Sequence, residues 1–238
     1  MRDRQLAGAH DAGRERVTSK PERFAALQAE RAASLARRLE ELLVLTGDER
    51  VLDVGAGTGA VAFALASRVR EVVAVDADEA MAARARADAP PNVEVVVADA
   101  ERLPFEDFSF DLAASVRTLH HTRRPELVVA ELARVTRPGG TILVADQLAP
   151  VDPLAAFELN RFERARDAST TRVLSDGDLR ALFDANGLVL RRDRVVHEPR
   201  DVERYLDLAG CEGFERERAR ALAPEGYEGV VGWYALTR

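Results

Sequence analysis

One stretch constrains this chain more than any other: Val51-Leu52-Asp53-Val54-Gly55-Ala56-Gly57-Thr58-Gly59, where an apolar run ends and glycine then takes every second position. The apolar residues predict a buried strand, and the spacing of apolar residues over 60–69 predicts a helix directly after the glycines. Because glycine has no Cβ, such a turn can adopt positive φ and bring backbone N–H groups close to a ligand. The stretch therefore predicts a strand, a tight turn and a helix whose N-terminus faces a bound molecule.

Two kinds of cofactor use such a turn, and Asp53 separates them. A dinucleotide places its pyrophosphate on the helix N-terminus, and its pattern Gly-x-Gly-x-x-Gly/Ala is met by Gly55, Gly57 and Ala60. S-adenosylmethionine (SAM) instead presents an ammonium, a carboxylate and a sulfonium. A carboxylate at the end of the strand repels a pyrophosphate and attracts the ammonium of SAM. Asp53 therefore favours SAM, and an NAD-type oxidoreductase is the alternative.

Acidic residues also follow the next two predicted strands. The strand over 71–76 ends in Asp76, about 20 residues past the glycines, where an acid is expected to bind both hydroxyls of a ribose. The strand over 92–98 is followed by Asp99 and Ala100, whose carboxylate and N–H suit the amino group and a ring nitrogen of adenine. A ribose belongs to SAM and NAD alike, so Asp76 supports a nucleoside without deciding between them.

The rest of the sequence predicts an alternation of strands and helices that is interrupted once. A helix is expected from Pro21, where the pattern becomes amphipathic. Strand–helix alternation up to Asp146 predicts a parallel sheet with right-handed crossovers. Later in the chain we expect a strand over 110–115 and a helix over 125–135, which residues 137–140 separate from a strand over 141–146. Further helices are expected over 152–166 and 179–185. An antiparallel pair of strands, over 188–198 and 229–237, is expected to flank helical residues over 202–222.

Three segments resemble the class I SAM-dependent methyltransferases, in their ubiquinone/menaquinone-biosynthesis-like (methyltransferase type 11) branch. The turn over 53–59 is similar to motif I, acidic-x-Gly-x-Gly-x-Gly; 99–112 is similar to the branch's Asp-Ala…Leu-Pro-Phe…Phe-Asp segment; and 131–140 is similar to its post-helix motif. The resemblance is strong over 50–146. It implies an α/β fold with a Rossmann-like doubly wound sheet, mostly parallel with a reversed strand near the C-terminus, plus an N-terminal helical lid and a helical insertion.

The resemblance also implies a function. The chain is expected to use SAM to methylate a small-molecule acceptor at an oxygen, carbon or nitrogen atom that stays open. A non-catalytic SAM-binding protein is a further alternative. The expected cofactor-binding residues are Asp53, Gly55, Ala56, Gly57, Gly59, Asp76, Ala77, Asp99, Ala100 and Ser115.

Two histidines are the candidate catalytic residues. His120 and His121 follow the fourth predicted strand, at the rim where open α/β sheets bind ligands. An imidazole there can act as a general base, and His121 is slightly preferred over His120. The competing interpretation is that one ring packs beneath the cofactor while the other lines the pocket. The four histidines lack the usual spacing of metal ligands, so no metal is expected.

The composition limits the classes of binding partner that are expected. The net charge of −7 argues against a nucleic-acid or anionic-membrane partner, and Cys211, the single cysteine, allows no internal disulfide. A start without an apolar signal segment predicts a cytoplasmic protein. The expected division is an arm and lid over 1–45 and a SAM-binding domain over 46–238 with its insertion at about 150–175. Arg172 is a candidate for binding an acidic acceptor, and a homodimer through the N-terminal helix or the insertion stays open.

Overall fold

The computed structural model describes residues 20–238, so the predicted N-terminal arm lies outside the described residues. The strands are β1 (Arg50–Val54), β2 (Glu71–Asp76), β3 (Val93–Val97), β4 (Phe110–Val116), β5 (Thr136–Ala149), β6 (Leu174–Ser175), β7 (Val189–Pro199) and β8 (Glu228–Thr237). The helices are α1 (Lys20–Leu42), α2 (Ala60–Ala66), α3 (Glu79–Asp88), α4 (Pro125–Val135), α5 (Pro153–Arg166), α6 (Asp176–Ala185), α7 (Val202–Ala209) and α8 (Gly213–Leu222), with a short 3₁₀ turn at Leu119–His121.

One sheet organises these elements. Its strand order is β3-β2-β1-β4-β5-β8-β7, and β6 pairs with the end of β5 outside this path. Strands β1 to β5 are mutually parallel, while β8 is antiparallel to both β5 and β7. The predicted α/β fold with a reversed strand near the C-terminus is confirmed. Because the carboxyl ends of β1 to β4 and of β7 lie at one edge, the residues after these strands meet there.

Apolar residues cover both faces of the sheet. Leu52, Ile142 and Tyr234 belong to a cluster with α4 and α6 residues, whereas Val51 and Trp233 belong to a cluster with α1 and α2 residues. Neighbouring residues of one strand point to opposite faces, so continuous apolar strands such as β1 serve both clusters. Helices α5, α7 and α8 enclose a third cluster beyond the end of β5. Within residues 20–238, no helix has the length and apolarity that crossing a membrane requires.

The prediction for the fifth strand was wrong in its bounds. Residues 137–140 were expected to separate α4 from a strand over 141–146, but β5 runs continuously from Thr136 to Ala149. Phe110 pairs with Thr136 and Leu112 with Thr141, so the residues between Thr136 and Thr141 form an irregularity within the strand. A Cβ on Gly140 would lie 2.8 Å from the carbonyl oxygen of Asp111. The glycine therefore permits a close approach of two strands.

Two smaller differences concern the last third of the chain. The helical residues expected over 202–222 form two helices, because Gly210 ends α7 in the left-handed region with φ 75°. The two-residue strand β6 was not predicted. Ser175 at its end caps α6 through a capping box with Asp178, so this helix starts earlier than expected.

Candidate cofactor and acceptor site

The glycine turn is held by hydrogen bonds, most of them to the end of β2. Gly55 N and Ala56 N donate to the carbonyl oxygen of Val75 at 2.8 and 2.9 Å, and Gly57 N donates to Asp76 Oδ2 at 2.7 Å. Gly59 N donates to the carbonyl oxygen of Ala56. These four N–H groups, expected to approach a ligand, are therefore committed to hydrogen bonds within the chain, three of them to the end of β2. The glycines instead allow a positive φ and let neighbouring parts of the chain pack closely against the turn.

Gly55 shows this close approach directly. Its φ is 72°, a conformation that residues with a side chain rarely adopt. A Cβ at this position would lie 2.2 Å from Oγ1 of Thr118, the second residue after β4. Glycine here thus lets the loop after β4 pack onto the turn after β1.

Asp53 is a buried carboxylate directly before the turn. It is 1% exposed, and one hydrogen bond, from Ala62 N at 3.0 Å, reaches its Oδ2 atom. Burial, with a smaller contribution from the charge of Asp76, raises the pKa of Asp53 from 3.8 to about 7. A buried carboxylate with so little compensation is stabilised by a cation placed beside it. This environment fits the ammonium of SAM and disfavours a pyrophosphate.

Asp76 connects the ends of β1 and β2. Its Oδ2 accepts from Gly57 N and its Oδ1 accepts from Asp78 N at 2.9 Å, so the carboxylate is fixed at the rim. Each carboxylate oxygen retains further lone-pair capacity for a ligand hydroxyl. Asp78 caps α3 by accepting from Ala80 N, which leaves Asp76 as the acid facing the turn.

The other predicted cofactor residues lie along the same edge. Strand pairing places Val97, near the end of β3, opposite Asp76, and Ser115 in β4 opposite Val54. Asp99 is exposed, with Oδ1 accepting from Glu101 N at 2.9 Å, and Ala77 and Ala100 lie beside these strand ends. The hydroxyl of Ser115 is buried and has no hydrogen-bond partner in the described part of the chain. The fold thus brings together the residues after β1, β2 and β3 and at the end of β4.

Helix α1 reaches across the turn. Gln28 Oε1 accepts a hydrogen bond from Thr58 Oγ1, and a Cβ on Gly57 would lie 3.6 Å from Gln28 Nε2. The sequence predicted an N-terminal helix over the sheet but did not single out Gln28. That this helix covers a cofactor cleft stays a prediction.

His120 forms a pair with Asp146 of the neighbouring strand. The His120 Nδ1 atom lies 2.5 Å from Asp146 Oδ1, and His120 N donates to Asp146 Oδ2 at 3.1 Å. Burial by itself raises the pKa of Asp146. The interaction with His120 and the hydrogen bond from Gln147 N lower the pKa by more, so it lies below its ordinary value. An ionised Asp146 requires a proton on Nδ1, which leaves Nε2 of His120 as the acceptor.

His121 has a different environment. Its ring centroid lies 4.0 Å from that of His120, and its Nδ1 is 3.1 Å from Ser169 Oγ. Burial, followed by the neighbouring His120, lowers the pKa of His121 to about 4. His121 is therefore neutral near pH 7 and a weak base.

Arg172, the candidate for binding an acidic acceptor, lies near α5 and α6. It forms an ion pair with Asp178 at 3.3 Å and lines a cavity of about 390 Å³ between α5 and α6. Within residues 20–238, no group of three or more histidine, cysteine, aspartate or glutamate residues is arranged to hold a metal ion.

Comparison with known proteins identifies the family. Residues 52–144 match the family model described as a methyltransferase domain. The malonyl-[acyl-carrier protein] O-methyltransferase of Halorhodospira halophila is 33% identical over 230 residues, which span 89% of this chain and 74% of that protein. The chain belongs to the class I SAM-dependent methyltransferases, in the methyltransferase type 11 branch.

Other relatives agree with this membership. The uncharacterized methyltransferase YcgJ of Bacillus subtilis is 38% identical over 167 residues, which span 68% of this chain. A solved structure from Bacillus halodurans C-125, named as a methyltransferase, is 27% identical and has a TM-score of 0.79, with 86% of this chain and 98% of that one covered. The chain spans 66% of YcgJ and 53% of a demethylmenaquinone methyltransferase of Clavibacter sepedonicus. Family membership confirms the predicted enzyme class and implies SAM as the methyl donor.

Proposed function

We propose that this chain transfers the methyl group of SAM to a small-molecule acceptor that binds beside His120. The observation that carries the proposal is the buried carboxylate of Asp53 at the glycine turn, with Asp76 at the next strand end. Family membership supplies the donor, and the acceptor is inferred from the site. When bound, SAM supplies an electrophilic methyl group for an in-line displacement.

The residues that would hold SAM follow the strand ends. Asp53 would pair with the ammonium, Asp76 would accept hydrogen bonds from the ribose, and Asp99 with the N–H of Ala100 would bind adenine. The unpartnered hydroxyl of Ser115 is available for a hydrogen bond to the bound molecule. The remaining proposed contacts come from Gly55, Ala56, Gly57, Gly59 and Ala77.

His120 would serve as the general base. Asp146 holds the imidazole through Nδ1 and stabilises the charge that the ring gains when Nε2 takes a proton. The sequence slightly favoured His121, but its lowered pKa makes that residue the weaker base. A base at this position supports an acceptor whose nucleophilic atom carries a proton, such as a hydroxyl or an acidic carbon.

The alternatives receive less support. Four N–H groups of the glycine turn, at Gly55, Ala56, Gly57 and Gly59, are committed within the chain and not available to a pyrophosphate, and Asp53 would repel that group. Nothing in the fold or the relatives favours an oxidoreductase. A homodimer and a cytoplasmic location stay predictions.

A turnover assay tests this proposal. The full chain would be incubated with SAM and a panel of phenols, alcohols, carbon acids, carboxylic acids, amines and thiols, while S-adenosylhomocysteine (SAH) and methylated product are measured by mass spectrometry. We expect methylation of an acceptor with an ionisable O–H or C–H. Cofactor binding without methylation of any acceptor would support the non-catalytic alternative instead.

A further inference from the structure

Three guanidinium groups interact electrostatically at the rim of the sheet, on the far side of the glycine turn from Asp76. They belong to Arg31 of α1, Arg117 directly after β4 and Arg200 directly after β7, and we call them the arginine cluster. Glu198 lies between two of them. Arg117 Nη2 is 2.9 and 2.8 Å from the two carboxylate oxygens of Glu198, and Arg200 Nη2 is 3.7 Å from Oε2.

The arginine cluster carries more positive charge than its surroundings neutralise. Glu198 is shared by Arg117 and Arg200, and Arg200 Nη1 also lies 3.9 Å from Oε1 of Glu163, a carboxylate that pairs with Arg166 at 2.9 Å. No ion pair joins Arg31 to a carboxylate within residues 20–238. Burial and the charge of Arg117 lower the pKa of Arg31, as expected for a partly buried cation beside like charges. Together with Arg166, the arginine cluster therefore places four guanidinium groups around two carboxylates, and this excess of positive charge leaves a site that an anion would stabilise.

Arg200 has hydrogen-bond donors to spare. Its side chain is 4% exposed, and its Nη1 donates to Gln147 Oε1, Tyr205 Oη and Tyr227 Oη at 3.1, 2.9 and 2.8 Å. Its Nε and Nη2 atoms are buried without a hydrogen-bond partner in the described part of the chain. A guanidinium edge with two parallel donors matches the two oxygens of a carboxylate or phosphate.

Gly229 in β8 keeps the surroundings of that edge free of a side chain. A Cβ there would lie 2.1 Å from Arg200 Nε and 2.6 Å from Nη2. The φ of Gly229 is not in the left-handed region, so its backbone does not itself require glycine. Arg200 also borders a depression of about 720 Å³ that Pro199 and Tyr227 help to line.

The arginine cluster lies next to the proposed site of methyl transfer. Arg117 precedes Thr118, whose Oγ1 lies 3.4 Å from the carbonyl oxygen of Gly55. The predicted ribose and adenine contacts are on the β2 and β3 side of this turn, whereas the arginine cluster is on the side of β5, β8 and β7. An acceptor placed opposite the nucleoside would therefore approach these arginines.

We propose that the arginine cluster binds an anionic oxygen group of the methyl acceptor, with the Nε and Nη2 atoms of Arg200, which lack hydrogen-bond partners in the described part of the chain, as its main donors. The inference rests on the proposed function, because it takes the occupant to be the acceptor. It narrows the acceptor class to molecules that carry a carboxylate or a phosphate beside the atom that is methylated.

The test uses the full chain saturated with SAH and follows the arginine Nε–H resonances by ¹⁵N NMR. Acetate and inorganic phosphate are titrated separately, with chloride replaced to hold ionic strength constant. We expect the Arg200 resonance to shift saturably with at least one of them, and the responding anion identifies the chemical group. Saturable SAH binding with no anion-dependent shift would overturn the inference and leave the proposed function intact, whereas failure to bind SAH would count against the proposed function itself.

Two matched pairs of variants locate the binding. Gly229→Ala places a methyl group against Arg200 Nε and is expected to weaken anion binding at least tenfold, while Gly177→Ala, whose Cβ would lie 3.8 Å from Ser175 Oγ, is expected to leave it unchanged. Arg31→Gln is expected to weaken binding at least threefold, and Arg38→Gln, which disrupts only an exposed pair with Glu41, to have no effect. If Gly229→Ala and Arg31→Gln both fold and both bind the anion as tightly as the wild type does, the assignment is contradicted.

Discussion

The Nδ1 atom of His120 lies 2.5 Å from Oδ1 of Asp146, although the two residues are 26 positions apart. The parallel pairing of β4 with β5 places Val116 opposite Ala145, so the residues after β4 reach the carboxylate that follows Ala145. The pair is enclosed, with the His120 side chain 10% exposed and that of Asp146 3% exposed. His120 is thus oriented by a buried carboxylate, whereas the Nδ1 atom of His121 contacts the hydroxyl of Ser169.

The first prediction concerns this pair. We expect His120→Gln to lower kcat roughly 10²- to 10⁴-fold, the range typical of a lost general base, and Asp146→Asn to produce a smaller loss. Steady-state kinetics across pH with an identified acceptor provide the measurement. His121→Gln is the matched control, with less than a tenfold loss, and an equal loss in both histidine variants would argue against the assignment.

The second prediction concerns the stability cost of Asp53. Because its pKa is raised from 3.8 to about 7, the folded protein binds more protons than the unfolded chain between these pH values. The stabilising contribution of the protonated group is thus complete below about pH 4 and is lost as pH rises through 7. At pH 8, Asp53→Asn should raise the free energy of unfolding of the cofactor-free protein by on the order of 3 kcal/mol.

Urea unfolding of both proteins at pH 4 and pH 8 measures this effect. The difference in unfolding free energy should be large at pH 8 and close to zero at pH 4. The same variant should bind SAM more weakly, because the carboxylate that would pair with the ammonium is gone. A variant that is less stable than the wild type at pH 8 would show that ionised Asp53 is well compensated.

The third prediction concerns the contact between Gly55 and Thr118. Gly55→Ala combines a positive φ with a Cβ 2.2 Å from Thr118 Oγ1, so we expect a loss of roughly 2–5 kcal/mol in unfolding free energy. Gly47→Ala is the control, since its φ is 100° and a Cβ there meets nothing within 4 Å. The control should show only the backbone cost of about 1 kcal/mol or somewhat more. Equal losses in the two variants, measured by urea unfolding, would mean that the Thr118 contact relaxes freely.

The sequence predicted the elements whose signals are local. Strand β2 and helix α4 have the predicted bounds, because a continuous apolar run and a proline-started amphipathic pattern each determine one structure. The extension of β5 could not be predicted, because Gly139-Gly140 is also a common helix-ending signal. Only the pairing with β4 turns these residues into part of a strand.

The sequence also singled out those residues of the candidate site whose signal is local. Asp53, Asp76 and Asp99 stand out because each follows an apolar run at a strand end. The partner of His120 did not, since Asp146 carries the same signal as any acidic strand end and its contact depends on strand order. The ion pair of Arg117 with Glu198 spans 81 positions and depends on β7 lying beyond β8 in the sheet. Such contacts follow from topology, which no short sequence pattern records.

Calorimetric titration tests the central claim most directly, with the full chain and its Asp76→Ala variant titrated in parallel with SAM, SAH and NADH. The wild type should bind SAM and SAH with about micromolar affinity and should not bind NADH. Asp76→Ala should bind SAM and SAH at least tenfold more weakly while it remains folded at the temperature of the titration, as should Asp88→Ala, a control variant at the far end of α3 that keeps its affinity. Binding of NADH alone, or unchanged SAM affinity in Asp76→Ala, would contradict the proposed site.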